Sequence, residues 1–192
     1  ACTSGDCRVT PLRTLASLAA FVLVLGGCYL PSNFKAEIVI NREGDFRMSY
    51  VGEFSDSTIL TKLAADDLTV EEEAERVETL FRDLSRDPSF TQIVYIGNAV
   101  FEVTYDARGN IFFDKTLTFV RTSDRIATFA YVEKTKEITM RGGTVPINFR
   151  DRLLALGYDM NGELRLTTDA EVIEHNATEV TGDDEQKTYL WV

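Results

Sequence analysis

Side chains able to do chemistry are few and scattered in this 192-residue chain. His175 is its single histidine, so a histidine-based triad or a multi-histidine metal site would rest on one residue. Glu174 beside it is poorly placed as an orienting base, because adjacent side chains on a strand point to opposite faces. A surface or hydrogen-bonding role is expected for His175. Acids cluster at Asp66-Asp67, at Glu71 to Glu73 and at Asp183-Asp184-Glu185, where a glycosidase pair or a calcium site would be sought, but adjacent acids are ordinarily just solvated. Asp159-x-Asn161-Gly162 has the opening of a calcium loop without the further oxygen ligands and the distal Glu that complete one. Neither a Gly-x-Ser-x-Gly elbow, nor His-Glu-x-x-His, nor a Gly-rich phosphate loop occurs. No catalytic residue, metal site or cofactor is therefore expected. Of the three cysteine thiols, that of Cys28 stands out by what precedes it: Arg8 and Arg13, the apolar run Leu15 to Leu25, then Gly26 and Gly27.

Leu25-Gly26-Gly27-Cys28 resembles the lipobox of bacterial lipoproteins. In such signal peptides the cysteine thiol receives a diacylglyceryl group, the chain is cut before it, and the new amino terminus is acylated. The resemblance implies a signal peptide over residues 1–27, cleavage between Gly27 and Cys28, and lipidation of Cys28. Positive residues, a short apolar core and small residues before the cut follow one another in the order of a secretory signal. The alternative is a transmembrane anchor. From Thr14 the apolar stretch is interrupted at Gly26 and Gly27 and stops at Pro31, short of the ~20 residues a spanning helix needs. Cys2, Cys7 and Cys28 all fall at or before the cut, so the exported domain has no pair to oxidise and is not a disulfide scaffold. Residues 1–8 do not fit a signal and read as an over-extended gene start, with initiation near Val9. In a bacterium with two membranes, Tyr29 rather than Asp after the cysteine implies the outer membrane, facing the periplasm.

The whole chain carries a net charge of −11. Removing residues 1–27 takes away Arg8, Arg13 and Asp6, so 20 Lys+Arg and 31 Asp+Glu become 18 and 30, a net −12. That charge opposes nucleic acid and bare anionic membrane as partners. Acyl chains on Cys28 supply membrane attachment instead, and two or more hold far better than one. Residues 28–33 read as a lipidated tether, and residues 34–192 as one domain large enough to bury its own core.

Three segments share a turn grammar: Ile40 to Phe46, Tyr105 to Ile111 and Tyr158 to Leu164. In each, Asn or Asp opens a type I turn and Gly three residues later closes it. Hairpins are expected at the first two, and a helix-to-strand junction with Gly162 launching the strand at the third. Phe46, Met48 and Tyr50 alternate with Arg47, Ser49 and Val51, as Phe101, Val103 and Tyr105 do with Glu102 and Thr104; Leu117 with Phe119 and Phe129 with Tyr131 continue the pattern. An antiparallel sheet with one polar face follows. Thr69-Val70-Glu71-Glu72 is a capping box leading into Ala74, Val77, Leu80, Phe81 and Leu84. Shorter helices are expected over Ser57 to Ala65 and after Pro146, where Phe149, Leu153, Leu154 and Leu156 are helically spaced and Gly157 is a stop.

From Gly162 to Ala177, then Lys187 to Trp191, the chain resembles the end of the LppM-type domain of bacterial envelope lipoproteins: a strand, a small turn, a valine-bearing strand, an Asn before a small residue and a terminal strand holding Trp. The opening hairpin from Phe34 to Phe54 is similar to that family's start. The resemblance implies an α+β fold, an antiparallel β-sheet of hairpins packed against two or three helices. It also implies a non-catalytic role at a membrane surface, binding an envelope lipid or glycolipid in an apolar groove. Phe101, Phe119, Phe129 and Tyr131 are the candidate lining, although they serve equally as sealed core. The other reading is an interaction or structural module that binds another envelope protein through its acidic surface or a sheet edge.

Overall fold

The computed structural model describes residues 29–120, 125–143, 147–155 and 157–192. Strands β1 (Tyr29–Ile40) and β2 (Asp45–Asp56) pair antiparallel around the turn that the sequence predicts. There the Asn41 side chain accepts the Asp45 N–H at 2.8 Å and Gly44 adopts φ +83°. A side chain at residue 44 would be strained by that φ and would also meet the Phe112 ring, 2.7 Å from an added Cβ.

The predicted helices form. Asp56 caps α1 (Ser57–Ala64), and the Thr69/Glu72 capping box starts α2 (Val70–Leu84), with both reciprocal bonds at 3.1 Å. Strands β3 (Phe90–Gly97) and β4 (Val100–Asn110) form a second hairpin. A single turn, α3 (Ile111–Asp114), leads into β5 (Thr116–Val120), β6 (Arg125–Val132) and β7 (Glu137–Gly142). Then come α4 (Ile147–Ala155), with Gly157 at φ +78°, and β8 (Gly162–Thr168), β9 (Glu179–Gly182) and β10 (Lys187–Trp191).

A seven-stranded sheet runs β3-β4-β2-β1-β8-β10-β9, and a separate three-stranded sheet runs β5-β6-β7. Every pairing is antiparallel except β1 with β8, which run parallel because β8 is reached by a crossover through the small sheet and α4. Among the described residues the fold is thus mixed and β-rich, with an antiparallel-dominated large sheet and four helices. The expectation of one antiparallel sheet is corrected by the second sheet and the parallel rung.

One core joins these layers. The inner face of the large sheet contributes Ile38, Met48, Tyr50, Phe54, Phe101, Val103 and Tyr105, α1 and α2 add Ile59, Leu80 and Leu84, and the small sheet adds Phe119, Val120, Ala127 and Phe129. Phe119 is the hinge pin of the contact, with its ring 5.0 Å from Tyr50, 5.8 Å from Phe54 and 4.8 Å from Tyr105.

Three local expectations fail. Tyr105 to Gly109 is not a turn: β4 continues straight through it, pairing Gly109 with Phe46. A Cβ at residue 109 would sit 2.5 Å from Asp114 Oδ2, a carboxylate free to swing aside, and 3.0 Å from the Phe46 ring, which would have to give by a few tenths of an ångström. The chain turns later, where the Asn110 side chain caps α3 through the Phe112 N–H at 3.0 Å. Residues 29–33 are not a tether but the start of β1, with Tyr29 and Leu30 buried. Their polar groups are satisfied from outside the strand: Ser32 Oγ and Asn33 Nδ2 donate to Glu53 at 3.0 and 2.9 Å, and the Asn33 N–H donates to Asn161 Oδ1 at 2.9 Å. A bulge between Ser32 and Lys35, with Asn33 at φ +46°, absorbs the irregularity. Finally, residues 171–177 form no strand; this segment packs beside β10 through side chains instead.

Candidate functional site

Cys28 and Gly27, the proposed lipidation and cleavage residues, lie outside the described residues. The first described residue, Tyr29, is paired with Asp56 at the end of the large sheet.

Of the four candidate lining residues, three belong to the one hydrophobic core and the fourth packs against it. Phe101 is 0 %, Phe119 1 % and Phe129 3 % exposed. Phe101 packs on Tyr95 at 5.0 Å and lies opposite Phe54, and Phe119 sits among Tyr50, Phe54, Phe90 and Tyr105. Phe129 pairs across from Leu117. Tyr131 alone approaches the surface, half-buried against Phe112 at 4.7 Å, with the Lys115 ammonium 5.2 Å from its ring. Next to Phe112, Phe113 is 84 % exposed.

The single histidine is a packing residue. His175 lies on the segment after β8, its ring edge-on to Tyr189 at 4.9 Å, and Asn176 accepts the Trp191 indole N–H at 2.9 Å. These two contacts hold the segment against β10 where strand hydrogen bonds were expected. Among the described residues no group of three or more His, Cys, Asp or Glu is placed to hold a metal ion. The acids serve locally. Glu72 completes the capping box and pairs with Lys62 at 3.3 Å, which holds its carboxyl below the usual range, the Thr69 backbone bond being the larger cause. Asp183 accepts the N–H groups of Glu185 and Gln186 in the β9–β10 turn, and those bonds lower its pKa. Asn161 is committed to the Asn33 backbone. Ser32 and Lys35 have Ser-x-x-Lys spacing, yet Ser32 Oγ is buried on Glu53 and no hydrogen bond joins it to Lys35.

What the sequence reading did not single out is the outer face of the large sheet. Parallel pairing sets Lys35 opposite Glu163 and Glu37 opposite Arg165, and these four with Ala36 line a shallow depression. On the next strands the like charges Arg47 and Arg108 are cross-strand partners. Asp106 reconciles them, binding Arg47 at 2.5 Å and Arg108 at 3.4 Å. The Arg47 hydrogen bond holds the Asp106 carboxyl below its usual range, and the same bond raises Arg47. Between these charges Val39 and Val51 are 48 % and 58 % exposed. The face therefore carries charges of both signs, with ion pairs at Arg47–Asp106, Arg108–Asp106 and Arg165–Glu163, around three open valines, Val39, Val51 and, opposite Glu102 on β3, Val94, and suits electrostatic and hydrogen-bond complementarity with a polar surface. Its signal was present in the sequence as charges at alternate positions of β1, β2, β4 and β8, but the register that pairs them was not. Among the described residues, β3 and β9 have no partner on their outer edges, and no helix is long and apolar enough to cross a membrane.

In comparisons with known proteins, no family model, no curated protein and no solved structure matches the chain.

Proposed function

We propose that this chain is a non-catalytic bacterial envelope lipoprotein, anchored through acyl chains on Cys28, that works by binding another envelope protein on the open surface of its large sheet. The anchor rests on the lipobox at Leu25 to Cys28, and the finer fold assignment, an LppM-type domain of hairpins against helices, rests on the likeness of the opening hairpin, β8 and the Trp-bearing β10, without the valine-bearing strand over residues 171–177. One observation favours a protein partner over a groove for an amphiphile: three of the four aromatic side chains that would line a groove are 0–3 % exposed inside a closed core, while the sheet's outer face offers Val39 and Val51 among paired charges. A photo-crosslinking residue at position 51 in the living cell should give one discrete protein adduct, abolished by Lys35→Glu with Arg165→Glu. Absence of any adduct at position 51 or at Val180 on the β9 edge would remove this reading.

The amphiphile reading keeps one observation of its own, the surface aromatic group of Phe112, Phe113 and Tyr131. Native mass spectrometry with lipid extraction separates the two. A defined extra mass that extracts as lipid and is lost in Phe113→Ser would place a lipid or glycolipid at that group.

A further inference from the structure

The strand that follows the proposed lipid-bearing residue begins without slack. Tyr29 and Leu30 are 5 % and 2 % exposed, and the Tyr29 ring lies 5.8 Å from Phe54. The Leu30 carbonyl accepts the Tyr158 hydroxyl at 2.5 Å, and Ser32 and Asn33 are held by Glu53 and Asn161. The five residues nearest Cys28 are thus bound to β2 on one side and to the segment between α4 and β8 on the other. The Tyr29–Asp56 rung is also the outermost at this end, since β4 begins one rung inside it, at Val100 opposite Ser55.

Consecutive Cα atoms lie ~3.8 Å apart, so Cys28 is one peptide unit beyond that rung. Acyl chains carried on its sulfur and amino group have to enter the bilayer from there. We propose that the Tyr29 end of the large sheet, comprising the β2–α1 junction, the β3–β4 turn and the α4–β8 segment around Asp159, is a lipid-facing surface seated on the membrane headgroups. The domain does not swing on a linker. The proposal rests on lipidation of Cys28 as read above. At ~3.4 Å per residue the 12 residues of β1 span about 35–40 Å, so the Asn41–Gly44 turn and the neighbouring Phe113 are carried to the opposite pole, away from the bilayer.

The full chain, produced in a bacterium that acylates lipoproteins and reconstituted in phosphatidylethanolamine/phosphatidylglycerol vesicles with a headgroup-labelled acceptor lipid, tests this. Once Cys28 carries lipid, an engineered cysteine is the one reactive thiol. Ile96→Cys and Asp159→Cys, both exposed at the near end, and Phe113→Cys at the far end each take a donor dye. Energy transfer to the lipid should be several-fold stronger from both near positions than from position 113. A Gly-Ser insertion before Tyr29 of about 12 residues, reaching about 20 Å, should erase the difference. Equal transfer from all three positions, or stronger transfer from 113, in protein whose N-terminal peptide has the acylated mass would overturn the seating. A Cys28 peptide of unmodified mass would instead sink the lipidation reading and the seating with it.

Discussion

Asp56 is the joint between the large sheet and its helices, and replacing it should cost more than any surface ion pair. Its carboxylate is 1 % exposed at the end of β2. One oxygen accepts the N–H groups of Thr58 and Ile59 at 2.9 and 3.0 Å, capping α1, and the other accepts the Arg76 guanidinium of α2 at 3.1 Å. Losing a cap of this kind costs about 1 kcal/mol. Breaking a fully buried pair costs about 3–5 kcal/mol, but Arg76 is 37 % exposed, so water recovers much of its solvation and about 1–3 kcal/mol is appropriate here. Asp56→Ala should therefore lose about 2–4 kcal/mol, which for a domain of this size lowers Tm by about 4–16 °C. Asp56→Asn keeps a cap acceptor and should lose about half as much. Thermal unfolding by circular dichroism of Asp56→Ala, Arg76→Leu and the double variant closes a cycle, in which coupling above about 0.5 kcal/mol marks a direct interaction. A Tm within 2 °C of the parent for Asp56→Ala, or strict additivity, would refute the argument.

Other perturbations follow from the same packing. Phe119→Ala removes a ring shared by four aromatic neighbours and should cost about 3–5 kcal/mol, whereas Phe113→Ser at the exposed pole should stay within about 0.5 kcal/mol; equal losses in chemical denaturation would contradict the core assignment. Burial pushes the Tyr105 hydroxyl up to about 12, with Asp87 adding to the shift, and pushes Tyr50 up as well. Because unfolded tyrosines ionise near pH 10, the stabilisation from these neutral phenols is complete below pH ~10 and is lost as pH rises toward 12. The tyrosinate absorbance of the buried rings should accordingly appear together with loss of the circular dichroism signal rather than before it. The depressed Glu72 carboxyl works in the other direction, its contribution present above the unfolded value and fading as pH falls. Thr69→Ala should cost about 1 kcal/mol yet leave that acid dependence largely in place, since the Thr69 N–H and Lys62 still face the carboxylate, whereas Glu72→Gln should flatten it, as a denaturant series from neutral to acid pH would show.

The sequence reading succeeded where local chemistry decides the structure. Thr69 and Glu72 satisfy each other's backbone donors within one turn, and Asn41 with Gly44 closes a hairpin between two alternating strands, so both are visible without a fold. The same grammar at Asp106 to Gly109 misled, because Asp106 is drawn outward between Arg47 and Arg108 and Gly109 pairs with Phe46 inside the β2–β4 ladder instead of turning the chain. Pro31, Ser32 and Asn33 look like linker chemistry for a comparable reason. What makes them strand is Glu53 and Asn161, 20 and 128 residues away from Asn33. The candidate surface was legible in part: alternation announced a polar face, but the pairing of Lys35 with Glu163 depends on a parallel crossover that no local pattern encodes. The aromatic stripe was visible, and its closure into a core waited on the second sheet.

Lipidation of Cys28 underlies both the anchor and the seating of the domain. Mass spectrometry of the N-terminal peptide, from the protein in membranes of a bacterium that expresses the whole chain, tests it most directly. The expected peptide begins at Cys28 and carries the mass of a diacylglyceryl group, and Cys28→Ser abolishes both the modification and membrane attachment. A peptide that retains the residues before Cys28 with a free thiol, or a membrane-bound Cys28→Ser protein, would contradict it.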